Sequence, residues 1–125
     1  MSPLNDMINY DCRRFQSVSN SEGGDVGNET VFTYRQQGDL LWGEYYGGKI
    51  RRGNLVGKVD NIGNLEFIYQ HVTVEGQLKS GYCKSTPEIL PDFRLRLYEK
   101  WRWIDGDQSD GESVIEEIGF QGLGT

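Results

Sequence analysis

Two cysteines, three prolines and one histidine are all that a chain of 125 residues holds of these types. Cys12 and Cys83 lie far apart and form no Cys-x-x-Cys pair, so with no export signal both are expected as free thiols. One histidine and two separated cysteines do not make a zinc site, so no metal is expected. His71 and Cys83 are the one Cys–His pairing, on adjacent expected strands, and nothing beside them marks an oxyanion hole or a nucleophile elbow. Neither Gly-x-Gly-x-x-Gly nor a phosphate-loop Gly-Lys-Ser/Thr occurs, so no nucleotide cofactor is implied. No catalytic residue is therefore assigned. No apolar run approaches the ~18 residues of a membrane helix. The N-terminus, MSPLNDMINYD, has no basic start followed by an apolar stretch, and the expected location is the cytoplasm. Positive charge is also short. Thirteen Lys and Arg stand against nineteen Asp and Glu, a net charge of −6, whereas nucleic acids and anionic membranes select a positive field.

What is present points to strands. Hydrophobic residues make up 36% of the chain and charged residues 26%, a balance that folds. Its length suits one domain able to bury a core, with tails expected over 1–9 and 120–125. The 17 glycines are about twice the usual ~7% and point to many tight turns. Turn signals recur at NSEGGDVGN (20–28), QQGD (36–39), Gly47-Gly48, DNIGN (60–64), Glu75-Gly76, Pro91-Asp92 and DGDQSDG (105–111). Between them lie aromatic and β-branched segments with period-two alternation. Eight strands are expected, near 10–19, 29–36, 40–46, 49–59, 64–74, 77–90, 93–104 and 112–119. Gly-Gly and Glu-Gly suit two-residue hairpins. Short hairpins pair sequence neighbours into an up-and-down meander, and an even number of strands lets the first and last close a barrel. Gly53, Gly81 and Pro87 are expected at bulges or bends.

The segment FRLRLYEKWRWI shows its two faces most clearly. Phe93, Leu95, Leu97, Glu99, Trp101 and Trp103 share one face; Arg94, Arg96, Tyr98, Lys100, Arg102 and Ile104 share the other. Glu99 is the one acid among the apolar residues. In NLEFIYQHV, Leu65, Phe67, Tyr69 and His71 share a face, while the facing of the third strand is ambiguous. Pairing Trp103 with Val114 across the last hairpin sets Trp101 opposite Glu116 and Glu99 opposite Ile118. Two carboxylates then point inward, and a buried carboxylate costs several kcal/mol unless paired or protonated. His71, the Tyr69 phenol, Arg14, water or a ligand are the candidates to answer them. The candidate binding site is thus Tyr69, His71, Glu99, Trp101, Trp103 and Glu116, with His71 as a proton-sensitive donor. The alternative is a self-satisfied network with no ligand. The basic stripe of Arg94, Arg96, Lys100 and Arg102 offers an outer interaction face, or a solvated one paired with acids such as Glu117. Asp105, Asp107, Ser109 and Glu116 approach the spacing of a calcium loop, but position six is Asp110 rather than glycine. Strand-like flanks make this a hairpin turn.

Three stretches, FQSVSNSEGGDVGNETVFTYRQQGDLLWGEYYGG, KIRRGNLVGKVDNIGNLEFIYQHV and CKSTPEILPDFRLRLYEKWRWIDGDQSDGESVIEEI, resemble a family of small bacterial proteins labelled N-acetylglutamate synthase. The resemblance covers roughly residues 13 to 118, and the label implies acetyl transfer. Acetyltransferases cradle the acetyl-CoA pyrophosphate on an Arg/Gln-x-x-Gly-x-Gly/Ala loop at a helix N-terminus. The nearest stretch, Arg51 to Gly57, does not match it. GEYYGGKIRRGNLVGK also resembles a single MORN repeat. The expectation is an all-β, antiparallel meander of about eight strands, closed or nearly closed as a calycin- or lipocalin-like barrel. An open MORN-like curved sheet is the alternative. The expected function is non-enzymatic binding of a small molecule in the barrel interior, ahead of an outer-face interaction module and of acetyl transfer.

Overall fold

A computed structural model describes residues 8–21, 23–104, 106 and 108–119. Eight strands follow one another: β1 (Arg13–Asn20), β2 (Val31–Gln37), β3 (Leu40–Gly47), β4 (Ile50–Val59), β5 (Leu65–Thr73), β6 (Leu78–Ile89), β7 (Leu95–Trp103) and β8 (Asp110–Glu117). Each pairs antiparallel with its sequence neighbour, and β1 pairs with β8, so the sheet closes into a barrel. The expected meander is thereby confirmed, and the open sheet is not formed. Closure gives every strand a partner on both sides and leaves no free edge.

Period-two alternation decides what fills the barrel. Phe15, Tyr34, Leu41, Tyr45, Leu55, Leu65, Phe67, Leu97 and Ile115 point inward and are buried. Each such side chain contributes roughly 1.5–3 kcal/mol by leaving water. The ambiguous third strand turns Leu41, Gly43 and Tyr45 inward and Trp42, Glu44 and Tyr46 outward.

Five glycines serve this core rather than turns. Tyr34 lies opposite Gly43, Tyr45 opposite Gly53, Phe67 opposite Gly57, Tyr69 opposite Gly81 and Trp101 opposite Gly111. A Cβ on Gly53, Gly81 or Gly111 would strike the rings of Tyr45, Tyr69 and Trp101 respectively. The missing side chain is the space into which each of these rings leans. Gly53 and Gly81 are therefore in regular register, contrary to the expected bends. The register shifts instead at Ser17/Ser19, Tyr45/Gly47 and Ile50/Arg52.

Turn details also differ from expectation. The β3–β4 hairpin pairs Gly47 with Ile50, so its two loop residues are Gly48 and Lys49. The β5–β6 connection runs through four residues, with Thr73 donating to Gln77 and Gly76 to Thr73. Phe93, expected inward, sits in the β6–β7 turn at a positive φ of 71° and is 72% exposed. In an up-and-down barrel the β1–β2, β3–β4, β5–β6 and β7–β8 connections gather at one end. The chain's N-terminal segment plugs the other. Ile8 and Tyr10 are buried there, and the Tyr10 hydroxyl donates to the Gly63 carbonyl at 2.6 Å. Of the expected tails, residues 1–7 and 120–125 lie outside the described residues, while Ile8 belongs to the core.

Candidate functional site

The β7–β8 register determines which acids face inward. Glu99 pairs with Ser113 and Trp101 with Gly111, an odd shift from the expected pairing. Because strand side chains alternate, an odd shift exchanges faces for the whole of β8. Ser113, Ile115 and Glu117 thus point inward, and Glu116 points outward. There Glu116 accepts from Arg94 at 3.3 Å and from Arg96 at 2.6 Å. Arg96 also meets Glu88, and Arg102 meets Asp110, both at 3.8 Å. Most of the basic stripe is thus paired across strands, with Glu116 rather than Glu117 as its main partner.

Among the described residues, three acids reach the interior or its mouth. Glu117, near the plugged end, accepts from Arg13 at 2.8 Å and from the Leu95 amide at 3.1 Å. Asp25, on the β1–β2 loop, meets His71 Nε2 at 2.9 Å and Lys79 Nζ at 3.1 Å. Burial works to raise the Asp25 carboxyl, but the bonds from His71 and Lys79 outweigh it and hold it below the usual range. Glu99 is different. It accepts from the hydroxyls of Ser113 at 2.9 Å and Ser85 at 3.2 Å. No ion pair reaches it among the described residues. Burial pushes its carboxyl up to about 7, with Ser113, Ser85 and Cys83 opposing the shift.

Asp25 also sets one role of the one histidine. A carboxylate accepts only, so Nε2 donates to it, while Nδ1 bonds the Tyr45 hydroxyl at 2.8 Å. His71 thus answers Asp25, not Glu99. Cys83 lies against Ser85, 3.8 Å away. Burial holds its thiol well above the ordinary range, as it does the phenols of Tyr34 and Tyr45. Asp105 and Asp107 of the calcium-like spacing lie outside the described residues.

Near the β1–β2 end the core leaves a cavity. Its wall includes Phe67, Tyr69, His71, Glu99, Trp101 and Trp103. The rings meet at angles rather than stacking, Trp101 and Trp103 at 56° and Tyr69 and Trp103 at 60°. The centres of water-sized molecules have about 40 Å³ there. At roughly 10–15 Å³ for each such centre, that is room for about three heavy atoms.

The end of β1 and the β1–β2 loop border the cavity. Asn20, Gly24, Asp25 and Val26 form that part of its lining. The wall itself fastens the end of β1 and the loop that follows: Trp101 Nε1 donates to Asn20 Oδ1 at 3.2 Å, and Trp103 Nε1 to the Gly23 carbonyl at 3.1 Å. Asn20 in turn donates to the Val26 carbonyl at 2.9 Å.

A family model described as avidin-like protein matches residues 8–118. The chain belongs to the avidin-like family. No curated protein matches it. The matched span runs from the plug residue Ile8 through the whole avidin-like barrel to the end of β8.

Of the six expected site residues, the barrel gathers Tyr69, His71, Glu99, Trp101 and Trp103 at one cavity and places Glu116 outside. Sequence reasoning missed Ser85, Ser113, Tyr45 and Asp25. Ser85 continues the inward alternation from Cys83, and Ser113 follows once the register is known. Asp25 lies in a glycine-rich loop, where no periodicity shows which way a side chain turns.

Proposed function

We propose that the barrel interior beneath the β1–β2 loop binds a small molecule without transforming it. An eight-stranded barrel is just wide enough for packed side chains or one small ligand. This one is lined by tryptophan and tyrosine, and Glu99 is the observation that carries the reading. A fully packed core has no use for an acid whose ionised form lacks a cation. An acceptor fixed by two hydroxyls against aromatic walls suits a ligand's polar head. Membership of the avidin-like family supports the same reading, since small ligands such as biotin are bound within that family. Tyr69, Trp101 and Trp103 form the apolar wall, and Glu99 with Ser85 and Ser113 forms the polar floor. Ligands of more than about three heavy atoms displace Asn20, Asp25 or Val26 as they bind.

Native mass spectrometry of protein purified from its own cells tests this. A retained small molecule that departs on denaturation is the expected result. In a thermal screen, a ligand at a hundred times its Kd adds about 2.7 kcal/mol of stability. Finding no retained mass and no stabilising compound, biotin included, would end this reading.

A further inference from the structure

We infer that the molecule held in the cavity is a cation, a small organic ammonium whose head lies against the Glu99 carboxylate among Tyr69, Trp101 and Trp103. This rests on the interior-binding reading and adds the ligand's charge to it. Of the three inward acids among the described residues, two are already answered, Glu117 by Arg13 and Asp25 by Lys79. Glu99 has only the two hydroxyls and the Cys83 thiol, none of them a cation. Two hydroxyl donors place a carboxylate but bring no opposite charge, and an ionised acid in an apolar interior needs one. The neighbouring walls are of the kind that attracts positive charge, because aromatic faces carry negative potential and bind ammonium groups. Trp103 already takes one such contact, with Lys79 Nζ 5.2 Å from its ring centre. The space fits the class too, since about three heavy atoms accommodate an ammonium nitrogen and two carbons.

The same geometry gives a pH signature. Around Glu99 stand Ser85 and Cys83 of β6, Ser113 of β8, and the phenols of Tyr34 and Tyr45 on β2 and β3. Burial keeps the thiol and both phenols protonated well past neutrality, so within this group Glu99 alone titrates near pH 7. His71 lines the same cavity, bonded to Asp25 and Tyr45, so a variant at position 99 is needed to assign the effect. A cation binds ionised Glu99 and releases its proton. The ionised fraction is roughly ten times larger at pH 8 than at pH 6 for a group near 7.

The test titrates ethylammonium, ethanol and biotin into the full chain, observing the indole Nε1–H resonances of Trp101 and Trp103. Three-atom ligands bind weakly at best, so millimolar affinities are expected. Ethylammonium should bind at least about tenfold more tightly than ethanol at pH 8 and lose about tenfold at pH 6. In Glu99→Gln the pH dependence should vanish while ethanol still binds, which shows that the cavity remains. Ethanol equal to ethylammonium, or biotin binding where ethylammonium does not, overturns the charge assignment and leaves interior binding standing. Unmoved indole resonances with all three probes overturn both.

Discussion

Replacing Glu99 with glutamine should remove a pH dependence from the stability of the fold. The carboxyl sits at about 7 in the barrel against 4.5 in the unfolded chain. At about 1.4 kcal/mol per unit, the ionised form is disfavoured inside by about 3 kcal/mol. The sign follows from which state holds the proton. Between 4.5 and about 7 the folded protein keeps a proton that the unfolded chain has released. The stabilisation is therefore complete below pH 4.5 and is lost as pH rises through 7. From pH 5 to pH 8 the wild type should lose about 2–3 kcal/mol that Glu99→Gln does not. Glutamine still accepts from one serine, and the other hydroxyl rotates to accept from its amide, so the fixed offset should be about 1 kcal/mol. Urea denaturation of both proteins at pH 5, 6, 7 and 8 supplies the difference. Taking that difference removes acids such as Asp11, Asp60 and Asp92, whose lowered values act as pH falls below the ordinary carboxylate range. A flat difference across the four pH values would refute a neutral, cation-free Glu99.

Asp25→Asn should loosen the β1–β2 loop by about 1–3 kcal/mol, since it weakens bonds to a lysine and a histidine. Hydrogen exchange at the Trp103 indole should then quicken about tenfold or more, and unchanged exchange would show that Asp25 does not hold the loop. Tyr34→Phe should leave stability unchanged or raise it by about 1 kcal/mol, because the Tyr34 hydroxyl is buried without a partner among the described residues. A clear loss on denaturation would show that the hydroxyl is satisfied after all. Gly111→Ala puts a methyl against the Trp101 ring and the Ser21 hydroxyl. It should cost about 1–3 kcal/mol and shift tryptophan emission, whereas a neutral, spectrally silent variant would mean that the ring has room to retreat.

What the sequence revealed and what it hid have separate physical causes. Strand positions and the faces of β5 and β7 follow from alternation within one segment, so Phe67, His71, Leu97, Glu99 and Trp101 were legible. Register joins two segments, and here the flanking turn did not determine it. The β7–β8 loop is longer than a tight hairpin, and either adjacent register turns a glutamate and at least one apolar residue of β8 inward. Val114, Glu116 and Ile118 make one alternation, and Ser113, Ile115 and Glu117 the other. Only closure against β1, where Phe15 meets Glu117, selects the second. The glycines misled for a related reason. Gly81 and Gly111 look like punctuation in isolation, and their purpose appears only when Tyr69 and Trp101 are set opposite them.

The β1–β2 loop ties access to the cavity to one of the indoles that line it. Opening the loop breaks the bonds from Trp103 to Gly23 and from Asn20 to Val26, together with the Asp25 contacts to His71 and Lys79. Water replaces those bonds in the open state, so the net cost is about 0.5–1.5 kcal/mol for each neutral bond and more for the charged ones. A ligand small enough for the closed cavity avoids this cost once it is inside, because the loop can shut over it. A larger ligand bears the cost for as long as it is bound, unless its own groups accept from the Trp103 indole in place of Gly23. On the proposed reading, selection would act on size first and on acceptors at the ligand's outer end second. A bulky ligand without such acceptors should bind more tightly to Asp25→Asn than to the wild type, because the variant has already given up part of the closing energy. If that ligand instead prefers the wild type, the loop is part of the binding surface rather than a cover over it.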